Sequence, residues 1–548
     1  MRYPKLLPIF NLVLTIMKRF ITAVLCLAVF AGAADAKEKK AKQKKEPVYN
    51  EQGQIIKTGM NYGPLPAVAY DADKGFQLGA ILNLYQYGDG STYPNYFNRW
   101  YFEGSYFTKG SMLFQIQHDN KHLIPGVRWS TSASYNIDKA FDFYGFNGFQ
   151  SYYDYERMGQ TNDKKAIQGG AAPNAELYRY NPFYRFNKTT LYAKTDFIGH
   201  ITDNLYWEAG YHFRWYNQDK IDRVSINKKK NWYDTFPSGP DSFANAKQED
   251  MRDVVDTRKY MPTLFELYQD WGLIDSKEVY NSKGKPHMFD SSIRLGLMYD
   301  TRNNEGAPSR GIWAEGHVTL APKWLGSSNS YYKYALTFRH YLPVVKNDIL
   351  TFAYRVSYEG TFGKDAPYYA LPYNTMVGNE SDKDGFGSYR TTRGVMRTRV
   401  VGLDQMLWTA EFRFKFVEFR LWNQNIAFSL TAFTDGSFVT RGRDMSFKGD
   451  AANFASYKAY MEGRYNELPA QMQTKHYKTL DCGTNGSVHV LKEMPHTTFG
   501  LGLRFIMNTN FIVAFEYGMP TSRFYKKSSP YYMQDGGGAF YINLGYLF

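Results

Sequence analysis

The side chains of this sequence that could do chemistry form no catalytic set. Its ten histidines are scattered over 548 residues, and no Gly-x-Ser-x-Gly elbow, phosphate-cradling glycine loop or His-Glu-x-x-His pair occurs. His476, Cys482 and His489 share one stretch, at spacings that no standard zinc site uses. His317 follows Glu315 closely enough for a polar pair, which is a simpler reading than a general base. No enzyme activity, metal or cofactor is expected. What the patterning does support is electrostatic chemistry. In Leu407 to Phe419, Glu411, Arg413 and Lys415 share one face of an extended segment, and Trp408, Ala410, Phe412, Phe414 and Phe416 share the other. Three charges on one strand face rule out a dry sandwich core there. They suit a wet lumen, with the phenylalanines in lipid.

The same period of two places Asp435 inward on the following segment, Ile426 to Asp435, and runs through almost the whole chain. It recurs in Phe76 to Leu84, Ile293 to Asp300, Phe499 to Phe505 and Phe511 to Met519. In the last segment Phe540, Ile542, Leu544, Tyr546 and Phe548 point one way, and Tyr541, Asn543 and Gly545 the other. Sixteen strands are predicted, the first at 64–70 and the last at 538–548, an even number as single-chain barrels require. With the C-terminus periplasmic, parity puts every long insertion on the outer face: 139–182, 218–286, 361–406, 437–497 and 520–537. The fold predicted is all-β, a closed transmembrane antiparallel β-barrel over 63–548 with long extracellular loops. Aromatics at the strand ends match interface girdles. Tyrosine- and lysine-rich loops, as at Tyr368-Tyr369, either cover the mouth or bind glycan or protein.

Composition agrees. The chain is 43% hydrophobic and 18% aromatic, yet its mean hydropathy is −0.51. After Ala36 no run approaches the ~20 apolar residues of a spanning helix. Residues 1–36 read as a signal peptide: Lys18 and Arg19, an apolar stretch Phe20 to Ala33, and small residues at Ala34-Asp35-Ala36. Met17 offers an alternative start. Residues 37–62 form a basic periplasmic tail in which six lysines oppose Glu38 before residue 46. Such a tail can touch anionic lipid; behind an export signal, nucleic acid is excluded as a partner. Cys482 is then the one remaining cysteine, so no intramolecular disulfide forms. Mature protein is expected to begin at Lys37, and an intact mass that retained residues 18–36 would contradict this.

Three patterns in order resemble the BamA/TamA superfamily of outer-membrane proteins, the bacterial surface antigen family. They are Asp300-Thr301-Arg302-Asn303-Asn304 with Pro308-Ser309-Arg310-Gly311; Thr392-Arg393-Gly394-Val395 followed by Glu411-Phe412-Arg413-Phe414; and Phe433-Thr434-Asp435-Gly436 followed by Gly500-Leu501-Gly502-Leu503-Arg504-Phe505 and a closing strand ending at Phe548. The resemblance implies that 361–406 folds back into the lumen. Arg393-Gly394 would be its tip, with Arg393 anchored on Glu411 and Asp435. It also implies that the final strand, through Phe540, Ile542, Leu544, Tyr546 and Phe548, is the signal read during insertion. Two positions depart from the family pattern: Val395 stands where an aromatic is usual, and Asp435-Gly436-Ser437 stands for Asp-x-Gly.

The function implied is assistance in outer-membrane protein assembly or translocation. In that family the first and last strands pair weakly, and Gly536-Gly537-Gly538 before the last strand suits such a seam. The 26 residues of 37–62 leave no room for a POTRA domain, so a periplasmic or lipoprotein partner would supply client delivery. The alternative is a non-catalytic channel, or an accessory barrel subunit of a larger outer-membrane complex. Outer-membrane lipid is the other expected partner.

Overall fold

In the computed structural model, residues 48–49, 55–71, 75–93, 95–108, 110–154, 181–219, 263–345, 348–371, 373–374, 383–388, 390–421, 424–508 and 511–544 are described. The signal peptide, most of the basic tail, and Tyr546 and Phe548 lie outside them.

Sixteen strands form one antiparallel sheet in which each pairs with its neighbour in sequence. They are β1 (Met60–Asp71), β2 (Gly75–Gln86), β3 (Asn98–Phe107), β4 (Met112–Ile124), β5 (Val127–Asp142), β6 (Arg185–His200), β7 (Leu205–Asp219), β8 (His287–Asp300), β9 (Gly311–Ala321), β10 (Tyr331–Val345), β11 (Leu350–Thr361), β14 (Asp404–Leu421), β15 (Gln424–Arg441), β18 (His496–Met507), β19 (Phe511–Pro520) and β20 (Ala539–Leu544). Two small hairpins sit in loops, β12 (Tyr373–Asn374) with β13 (Lys383–Asp384), and β16 (Tyr477–Asp481) with β17 (Ser487–Leu491).

Two expectations need correcting. The sheet is not closed: no ladder joins β1 to β20 among the described residues, although parts of the two strands come within 8 Å. A hydrophobic pattern fixes which face a residue takes, and carries nothing about whether two edges meet. The first strand is also longer than 64–70, because Met60 to Gly63 pair with Gln86 to Asn83. Pro64 and Pro66, which lack an N–H, are tolerated because this strand has a ladder on one side alone.

Alternation explains the two faces. On β14, Phe412 and Phe414 are exposed outward while Glu411 and Arg413 are buried. Lys415, near the β14–β15 turn, pairs with Glu418 at 2.7 Å and stays partly exposed. The inward charges therefore meet each other rather than open water. The turn between β8 and β9 shows why its motif has those residues. The Asn303 amide oxygen accepts from the N–H groups of Ser309 and Arg310, both at 3.1 Å, and Arg302 pairs with Asp300 at 2.8 Å. Gly311 has φ +107°, and a Cβ there would collide with the Thr301 carbonyl.

In the antiparallel order the long insertions all connect strands at the same end of the sheet. Their aromatics build the largest core, including Phe143, Phe146, Tyr268, Trp271, Tyr369 and Tyr457. A helix at Leu264–Asp270 starts with a capping box: Thr263 accepts from the Glu266 N–H, and Glu266 accepts from the Thr263 N–H. Of the three residues weighed for zinc, Cys482 is buried, His489 stacks on Tyr465 at 4.1 Å and His476 meets Tyr531 edge-on. Among the described residues no cluster has the geometry to hold a metal. The His317 imidazole lies 2.7 Å from Glu315, both buried.

Candidate functional site: the loop tip in the lumen

The connection from β11 to β14 delivers Arg393, fully buried, to inward carboxylates of β14, β15 and β19. Its guanidinium forks onto Asp435, with Nε to Oδ2 and Nη2 to Oδ1 both at 2.8 Å. The Arg393 backbone N–H donates to the same carboxylate at 2.9 Å. Nη1 is 2.8 Å from Glu411 and 2.8 Å from Glu516. The guanidinium carbon lies 3.4 Å over the ring of Phe433. A planar fork can serve three carboxylates and a ring face at once, which a lysine could not.

The other charges complete a balanced group. Arg413 donates to Glu411 at 2.8 Å; Arg504 donates to Glu516 at 2.7 Å and lies 3.3 Å from Glu411. Three arginines thus face three carboxylates, each at most 4% exposed. Pairing on this scale is what makes six buried charges tolerable. The sequence-predicted Arg393, Glu411 and Asp435 are brought together. Glu516, Arg504 and Arg413 were missed as members, though period two had already placed Arg413 inward.

Glycines make room for the tip. Gly394 has φ +99°, and a Cβ there would lie 2.5 Å from the Gly518 carbonyl carbon; a Cβ on Gly518 would collide with the Arg393 carbonyl. Two backbones are therefore in direct contact at Gly394 and Gly518. Gly500, in the Gly500-Leu501-Gly502 motif, leaves the space that the Phe433 ring fills. The Gly394 N–H donates to the Tyr541 hydroxyl on β20 at 2.9 Å, so the tip also touches the last strand, on the inward face predicted for Tyr541. Phe540 beside it is exposed.

The rest of the loop is held by residues that sequence reading missed. Arg397 reaches Asp138 at 2.9 Å and Asp142 at 3.0 Å on β5. Arg399 donates to the carbonyls of Gln534 and Gly148. Val395, where the family pattern has an aromatic, is buried with Phe386, Val400, Leu407 and Val439. Arg393 and Arg397 thus pin one loop to β14–β15–β19 and to β5.

The pattern of the Omp85 superfamily domain matches residues 125–548. No curated protein matches the chain. Among solved structures, BamA from Haemophilus ducreyi lacking POTRA domains 1-3 is 14% identical, with 91% of this chain and 74% of that one covered and a TM-score of 0.42. CdiB from Escherichia coli is 8% identical, with 89% and 62% covered and a TM-score of 0.44. CdiB from Acinetobacter baumannii is 10% identical, with 91% and 64% covered and a TM-score of 0.40. The chain thus spans less than two thirds of either CdiB chain. The matched region takes in every residue of the three motifs and of the buried charge group, and the chain belongs to the Omp85 superfamily.

Proposed function

We propose that this chain works in the outer membrane in the assembly or translocation of other outer-membrane proteins, through a seam between β1 and β20 that opens to a client strand. The observation that carries the reading is the junction of the Arg393-Gly394 tip with β19 and β20, beside strand edges that no ladder joins among the described residues. A free strand edge offers a row of unpaired backbone groups to an incoming strand. The buried charge group holds the loop tip against the strands next to that edge. Residues 1–36 export the chain, the basic segment between them and β1 lies in the periplasm, and a separate periplasmic or lipoprotein partner delivers clients.

The final strand carries the insertion signal through Phe540, Ile542, Leu544, Tyr546 and Phe548. Deleting Phe548, or replacing it with a charged residue, is expected to lower the amount of heat-modifiable barrel in membranes. Wild-type amounts would contradict that role.

The function is tested by stapling β1 to β20 with an engineered disulfide in cells that depend on the protein. Loss of other outer-membrane barrels, reversed by reductant, is expected. Normal barrel levels in the oxidised variant would overturn the reading, and co-purification from native membranes in mild detergent identifies the partner. A selective conductance from protein purified without partners would favour the channel alternative.

A further inference from the structure

On the outward face, far along the sheet from the β1 and β20 edges, the strands β8 to β11, with Leu205 of β7 at one end, form an open groove of about 410 Å³. Its floor comes from two small residues on β9. Gly316 pairs with Leu297 on one side and Leu336 on the other, and Leu336 pairs in turn with Tyr358. One step along, Ala314 sits between Tyr299 and Phe338, and Phe338 pairs with Val356. Two parallel rows of large apolar side chains thus dip at the same strand. Leu297 and Leu336 are each more than half exposed, and the outward residues of both rows include no charge.

Resting on the membrane location proposed above, we infer that this groove binds one acyl chain of a membrane lipid. The groove lies within the band of exposed apolar side chains that continues over the neighbouring strands, so its surroundings are hydrocarbon. Water is the wrong filling: this volume would take about a dozen molecules at ~30 Å³ each, and each needs two to four polar partners. The outward walls offer carbon and tyrosine hydroxyls, while Glu315 and Thr337, which also border the groove, are buried residues of the opposite, inward-facing set. A second protein is also a poor occupant, because a stable protein interface needs far more buried surface than one narrow groove supplies. A flexible alkyl chain fits a trough two residues wide. Glycine at 316 keeps the floor low: a Cβ there would sit 3.0 Å from the Leu336 Cδ2, so that side chain would have to shift. A larger residue would push Leu336 into the trough.

The test uses full-length protein in nanodiscs of phosphatidylethanolamine and phosphatidylglycerol doped with a phospholipid whose acyl chain carries a photoactivatable group. Crosslinks are expected to concentrate on residues 311–321 and on the facing Leu336 to Phe338. Gly316→Leu should abolish that concentration. Ala432→Leu, which enlarges an outward position on β15, should leave it unchanged. Even labelling of all outward strands in the wild type would overturn the proposal, as would undiminished labelling in a Gly316→Leu protein that retains heat-modifiable migration. Protein-to-protein crosslinks through 311–321 in place of lipid adducts would overturn it in favour of a second copy. Failure of the membrane reading itself is distinguishable, because the protein would then not enter nanodiscs as a heat-modifiable barrel.

Discussion

Arg393→Ala is expected to release the loop tip from the lumen wall while the strands still pair. The substitution removes the one cation that touches Asp435, Glu411 and Glu516 together. Glu411 and Glu516 keep Arg504, and Glu411 keeps Arg413. Asp435 is buried and loses both guanidinium hydrogen bonds at once; the backbone N–H of residue 393 still donates to it as long as the tip stays in place. Breaking a buried ion pair by removing one partner costs roughly 3–5 kcal/mol, and water entering the vacated space lowers that. Faster protease cleavage between 361 and 406 and a lower melting temperature are the expected readouts. Glu411→Arg alone would leave four arginines against two carboxylates, whereas combining it with Arg393→Glu returns the group to three against three and should recover part of the loss. Unchanged protection of the loop in Arg393→Ala would show that the ion pairs are not what holds it.

The second large effect is expected from Gly394→Val. It fails for two independent reasons: a β-branched residue strongly disfavours φ near +99°, and its Cβ would press on the Gly518 backbone. Backbone cannot rotate away as a side-chain end can, so the tip must retreat and the Tyr541 hydrogen bond is lost with it. Loop cleavage should rise at least as far as in Arg393→Ala, although no charge has changed. Gly518→Ala should reproduce the effect from the opposite wall, because its Cβ would enter the Arg393 carbonyl. A Gly394→Val protein with wild-type loop protection would mean that the two backbones are not in contact.

Much of this arrangement was legible before the structure. A strand that divides lipid from lumen writes its orientation into every second residue, which is why sixteen strands and the inward placement of Glu411 and Asp435 could be read directly. Arg393 could not be found by periodicity, since it lies in a loop; a family pattern supplied it. Glu516 had a usable signal. It alternates inward with Ala514 and Gly518 on β19, yet nothing in one strand's pattern says which residue two strands away a loop will reach. Arg397 and Arg399 carried no signal at all, because a loop has no period. The helix at Leu264–Asp270 had a usable signal in the capping-box spacing of Thr263 and Glu266, which the reading of 218–286 as one insertion did not use. Whether β1 and β20 pair, which they do not among the described residues, depends on curvature accumulated over all the strands, and no local pattern encodes it.

The most direct test is a double-mutant cycle on Arg393 and Asp435, with loop cleavage rate and thermal unfolding measured for each alanine variant and for the double variant. Docking through this pair predicts strong non-additivity: once Arg393 is gone, removing Asp435 should cost little more, and it should even relieve the unpaired carboxylate, with a coupling on the order of 2–3 kcal/mol. Additive losses would contradict the account, because they would mean that the buried fork between loop tip and β15 does not exist in the folded protein.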